Sequence, residues 1–134
     1  MTKDILYNDV LLARYIHADA HKQGLNFFSK DEEFVQVGSW YKYPKGKYLE
    51  KHYHNTLERL NTITQEVIII IKGKVKTTMY NKAREPVAEQ ILEQGDILIF
   101  LEGGHDFTIL EEDTIVYEVK NGPYLGAEKD KTKF

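Results

Sequence analysis

The chain has 134 residues, which suits one domain, and its 42% hydrophobic and 12% aromatic residues supply a core and exclude a disordered chain. The formal net charge of -3 leaves no basic excess for a phosphate backbone, so nucleic acid is excluded as the main partner. Without cysteine there is no disulfide, thiolate metal site or cysteine nucleophile. Without an apolar run of about 18 residues or a signal-like N-terminus, a cytoplasmic protein that makes no use of the membrane is expected.

In chain order, residues 9–16 (DVLLARYI) read as a first strand. Residues 17–33 are turn-like, with Ser29 a candidate cap, and His17 and His21 belong to a solvated turn. The aromatic and β-branched residues 34–43 predict a strand, Pro44-Lys45-Gly46 a turn, and the alternating residues 47–54 another strand. Residues 55–61 form a polar connection. The strongest strand is 62–71 (TITQEVIIII), whose isoleucine run fits cover on both faces. Lys72-Gly73-Lys74 is a tight hairpin into 75–80, followed by strands at 88–92, 97–101, 105–110 and 114–120 with turns between them. The tail, 121–134, is irregular and its lysines are solvated. About nine short strands with almost no helical periodicity predict an all-β sandwich or barrel.

The chemistry-bearing feature is His52-Tyr53-His54. On a strand, residues two apart share a face, so the two imidazoles would stand side by side, and imidazole is the commonest protein metal ligand. Glu66 and His105 are the candidates to complete a site, with Gln65 and Glu58 as alternatives to Glu66. Counting by twos places Tyr48 and Glu50 on the face of His52, Ile68, Ile70 and Lys72 on that of Glu66, and Phe107 and Ile109 on that of His105. A pocket so lined is apolar at depth and polar at its mouth. Tyr41, Tyr43, Tyr48 and Tyr53 cluster near the pair as packing, sugar-stacking or acid–base groups, and Glu50 is the candidate general base. Lys47, Lys51, Arg59 and Lys72 are available for an anionic ligand at the mouth.

The spacing also carries a resemblance. Gly46, five residues, then His52-Tyr53-His54, with Glu66, six residues, then Gly73, resemble the two halves of the first cupin motif. Gly95-Asp96, a hydrophobic strand, Gly103-Gly104 and His105 resemble the second. The chain departs from the pattern in an inserted loop at 55–64, in Leu101 where proline is usual, in a His105 one residue early, and in Ile109 where asparagine is usual. The tail Glu118 to Tyr124 resembles a small-cupin subfamily found among surface-polysaccharide genes.

The resemblance implies a cupin-type jelly-roll β-barrel (double-stranded β-helix) as a single domain over 1–134. Residues 1–33 would be its N-terminal strand and turns, 34–120 the core and 121–134 the tail. It implies a divalent transition metal (Fe, Mn, Ni or Zn) on His52, His54, Glu66 and His105, with coordination positions open to a small molecule. The expected function is that of a metal-assisted isomerase or epimerase of a sugar or sugar-nucleotide, with Glu50, Tyr48 and Tyr41 as proton-transfer groups. An Fe(II) dioxygenase and a non-catalytic ligand-binding module are the alternatives. A homodimer is expected, with the two-sided apolarity of 67–71 fitting a covered outer face.

Overall fold

A computed structural model describes residues 1–134. It is all-β, with antiparallel strands and one short helix. The strands are β1 (Thr2–Tyr7), β2 (Val10–Ile16), β3 (Gly24–Phe27), β4 (Gly38–Tyr41), β5 (Glu66–Lys72), β6 (Lys74–Tyr80), β7 (Pro86–Glu93), β8 (Ile97–Phe100), β9 (Gly104–Ile109) and β10 (Ile115–Lys120). The helix α1 spans Ala127–Asp130, and no helix is long and apolar enough to cross a membrane. A five-stranded sheet, in the order β1-β2-β8-β5-β10, faces a three-stranded sheet, β7-β6-β9, and β3-β4 form a separate hairpin.

Strand alternation builds the core between the sheets. Ala13 and Tyr15 of β2, Ile68 and Ile70 of β5, and Leu98 and Phe100 of β8 meet Val75 and Met79 of β6 and Leu92 of β7. Over β2, β8 and β5 the opposite face of the five-stranded sheet is also buried. Ile16, Val67, Ile99 and Leu101 pack there under Val35, flanked by Phe28 and Val37. The continuous apolar run of β5 follows from this, because residues 28–37 of the same chain supply the cover on its outer face.

The cover is pinned by Arg14, which β2 points to the same face. Its guanidinium donates to Phe28 O (2.7 Å), Glu33 Oε1 (2.9 Å) and Asp4 Oδ1 (2.7 Å). Burial alone would lower its pKa, but the bonds to Asp4 and Glu33 outweigh that and raise it. Gln65 is a second pin. It is buried, and its Oε1 accepts from Phe34 N (2.8 Å) and Val35 N (3.2 Å).

The turns at Gly73 and Gly95 fall where the turn signals put them, both glycines having positive φ, but the one at Gly73 closes no hairpin: it carries the chain from β5 in the larger sheet to β6 in the smaller, as Gly95 carries it back from β7 to β8. Three further expectations need correction. Residues 47–54 form no strand and lie with 41–64 as an exposed segment. The strand expected over 34–43 shrinks to Gly38–Tyr41, because 34 and 35 are held by Gln65 instead of by a strand. Residues 1–8 and 17–33 contribute β1 and β3, which find partners in β2 and β4.

Candidate functional site

At one end of the sandwich the two sheets part around a cleft of about 880 Å³. Its walls come from both sheets and from the C-terminal segment. Glu66 opens β5, opposite Phe100 of β8 on one side and Lys120 of β10 on the other. His105 near the start of β9 stands opposite Met79. Its ring stacks on Phe100 (centroids 3.9 Å apart, planes 18° apart) and leans against Phe107 (5.2 Å). Packed in this way, His105 Nε2 lies 3.3 Å from Glu66 Oε2, while Nδ1 makes no hydrogen bond within the protein.

Burial pushes the Glu66 carboxyl up. The hydrogen bond and charge of His105, with Lys120 adding to them, outweigh burial and hold it below the usual carboxylate value. Glu66 is therefore ionised at neutral pH and orients the imidazole, the role a carboxylate plays beside a catalytic histidine.

Tyr80 and Asp106 form a second polar pair at the rim. The Tyr80 hydroxyl donates to Asp106 Oδ2 (2.6 Å), and Asp106 Oδ1 accepts from Thr78 N (3.2 Å). The shared hydrogen bond raises the Tyr80 pKa and lowers that of Asp106. Phe134 lies edge-on to Tyr80 (5.3 Å) and under Arg84 (5.5 Å). Lys120 is paired with Glu118 and Asp130, both at 3.3 Å, and Lys82 with Glu102. Arg84, Lys131 and Lys133 line the cleft and pair with no carboxylate, which leaves three cations for an anionic group.

Of the expected site residues, the structure brings Glu66 and His105 together and leaves the others apart. His52 and His54 lie on the exposed segment, with ring centroids 5.4 Å apart. Tyr48 and Glu50 are exposed on the same segment. Tyr41 ends β4 and leans against His21 (5.7 Å), outside the cleft. No three His, Cys, Asp or Glu side chains converge closely enough to share an ion. The tetrad His52, His54, Glu66 and His105 thus does not form one coordination sphere in this conformation.

Between the alternatives for the carboxylate, Glu66 faces the cleft and Gln65 holds the backbone of 34–35. Phe107 lines the cleft as counted, whereas Ile109 is exposed on the edge strand. Sequence reasoning missed Tyr80, Asp106, Arg84 and the tail. Tyr80 ends β6, Asp106 lies within β9 and Arg84 lies in a turn, and residues 130–134 gave no signal beyond solvated charge. No family model matches the chain, and no curated protein and no solved structure matches it either.

Proposed function

We propose that the chain is a cupin-type jelly roll whose cleft binds an anionic sugar or sugar-nucleotide and moves a proton on it, as an isomerase or epimerase does. The observation that carries this reading is the His105–Glu66 pair: an imidazole fixed through Nε2 by an ionised carboxylate, with Nδ1 free at the wall of a cleft of about 880 Å³. A free imidazole nitrogen held this way takes a proton from an acidic C–H beside a carbonyl, and Glu66 stabilises the imidazolium that results. Tyr80 stays protonated through neutral pH and is the hydrogen-bond donor at the rim. Arg84, Lys131 and Lys133 suit a phosphate or carboxylate on the ligand, and the exposed faces of Tyr80, Phe107 and Phe134 suit a sugar ring or base. The glycine and histidine spacings of both cupin motifs support the jelly-roll assignment, as does the packing of a five-stranded on a three-stranded antiparallel sheet.

The test is solvent exchange. Nucleotide-linked keto-hexoses are incubated with the protein in D₂O, with and without added Fe, Mn, Ni or Zn, and followed by proton NMR. Deuterium entering a ring carbon with the native chain, and falling by about a hundredfold or more in His105→Gln, is the expected result. Ligand binding without exchange under any of these conditions overturns the proton-transfer reading and leaves a binding module. Oxygen uptake that requires iron puts a dioxygenase in its place.

A further inference from the structure

The unpaired cations of the cleft are divided between two parts of the chain. Arg84 belongs to the body, in the turn between β6 and β7, whereas Lys131 and Lys133 belong to the segment 126–134. That segment is a strap from one sheet to the other, held at two points. On the larger sheet, Asp130 Oδ2 accepts from Lys120 Nζ of β10 (3.3 Å). On the smaller sheet, the Phe134 ring lies against Tyr80 and Arg84 and over Gly104, the first residue of β9. A Cβ at Gly104 would stand 3.0 and 3.1 Å from two carbons of that ring. Gly104 has no positive φ, so its backbone does not call for glycine, and it is the ring that uses the missing side chain.

Between these two points nothing ties the strap down. Its backbone hydrogen bonds are internal: Lys129 N and Asp130 N donate to Gly126 O, and Lys131 N to Ala127 O. None of its residues is buried. A segment held so lightly opens while the sheets stay intact. Gly126 supplies the hinge, with a φ of +97° and open space where a Cβ would be.

We propose that residues 126–134 are a lid that closes on a phosphate-bearing ligand, the phosphate being held between Arg84 of the body and Lys131 and Lys133 of the strap. With no anion bound, like charges on body and strap oppose closure. A diphosphate turns that repulsion into attraction, so the ligand itself supplies the differential interaction that favours the closed strap. A single carboxylate would neutralise only one of the three cations. The other cations of the cleft are already engaged, Lys82 by Glu102 and Lys120 by Glu118 and Asp130. Closure seats the strap on Lys120, the cross-strand partner of Glu66, so ligand binding and the exclusion of water from the His105–Glu66 pair become one event. This rests on the reading of the cleft as an anion site and adds its regulation.

Pyrophosphate is the probe. Its affinity is measured by calorimetry, and amide hydrogen exchange of the peptide 121–134 is followed by mass spectrometry with and without it. The expected results are slower exchange of the strap amides on binding, with β5 and β8 unchanged, and affinity lowered at least about tenfold in Arg84→Gln and in Lys131→Gln/Lys133→Gln. Gly104→Ala and Phe134→Ala keep all three cations and disturb only the seat on the smaller sheet. Each should speed strap exchange in the free protein and weaken pyrophosphate about two- to tenfold, with circular dichroism unchanged. Pyrophosphate bound with no change in strap exchange overturns the lid and leaves the anion site standing. Seat variants that bind pyrophosphate as tightly as the native chain also overturn it, and tighter binding makes the strap a plug instead. No binding at all overturns the lid together with the anion site, whereas deuterium entry into a sugar ring reports on the proton transfer alone.

Discussion

The two sheets of the sandwich are stabilised differently. The five-stranded sheet has apolar side chains on both faces, the inner set meeting the other sheet and the outer set of β2, β8 and β5 lying under residues 28–37, while Tyr117 and Val119 of β10 stay exposed. The three-stranded sheet has an inner face built on Val75, Met79 and Leu92, an outer face with residues such as Ile91 in solvent, and an open edge at β9. Their charged groups follow the same division. Arg14, Asp4 and Glu33 form a triad under cover, with the Arg14 and Glu33 side chains each 7% exposed. Lys74, Glu93 and Glu111 form one at the surface. Where a sheet is covered twice, the sequence reads as an unbroken apolar run; where it is covered once, it alternates.

The largest expected effect comes from breaking the covered triad. Arg14→Met leaves Glu33 buried with no partner for its charge, and the loss of stability should be about 3 kcal/mol or more. Urea unfolding followed by tryptophan fluorescence measures it. The double variant Arg14→Met/Glu33→Leu should recover most of that loss, because an apolar pair of similar volume avoids burying any charge. If the double variant is as unstable as the single one, the triad acts by positioning the 28–37 cover rather than by neutralising Glu33.

The next effect sharpens the comparison of the faces. Ile99 is fully buried on the outer face of β8, whereas Ile91 on the outer face of β7 is 49% exposed. Ile99→Ala should cost about 2–4 kcal/mol and Ile91→Ala no more than about 0.5 kcal/mol, both read from urea midpoints at constant m. Comparable losses at the two positions would mean that the outer face of the smaller sheet is covered in solution as well.

The same division explains what could be read in the sequence. From β5 to β10 the strands are legible because apolar pattern and turn residues act over a few residues and agree with one another, whereas their pairing is not: only β6 and β7 are joined as a hairpin. β1 was not legible: Thr2–Tyr7 carries charge and one buried side chain, Ile5, and becomes a strand because β2 offers an edge. β3 is similar, with β4 as its partner. The exposed segment after β4 is the converse case. Residues 47–54 alternate as a strand should, yet alternation supplies a face and not a partner, and none lies beside them within the chain. The site divides along the same line. Glu66 and His105 were legible because each sits on a strand whose register local hydrophobic pattern fixes. Tyr80, Arg84 and Phe134 were not, because only the closing of one sheet over the other brings them to one cleft.

The smallest expected effect lies in the exposed triad. Lys74 Nζ is 2.9 Å from Glu93 Oε1 and 3.7 Å from Glu111 Oε1, and the hydrogen bond and charge of Glu93 raise its pKa above 10.5. A lysine whose folded-state pKa is raised contributes its stabilisation fully below the unfolded value and loses it as pH rises through the folded one. The contribution of Lys74 is therefore constant across neutral pH and fades only in alkali above about 10.5. Lys74→Met should shift the urea midpoint far less than Arg14→Met does, and the shift should shrink further in high salt, because water and ions already screen the pair. An effect of Lys74→Met as large as that of Arg14→Met, and indifferent to salt, would mean that this end of the smaller sheet is not exposed in solution. Cover over the strand next to β9 would then have to come from outside the chain's own fold.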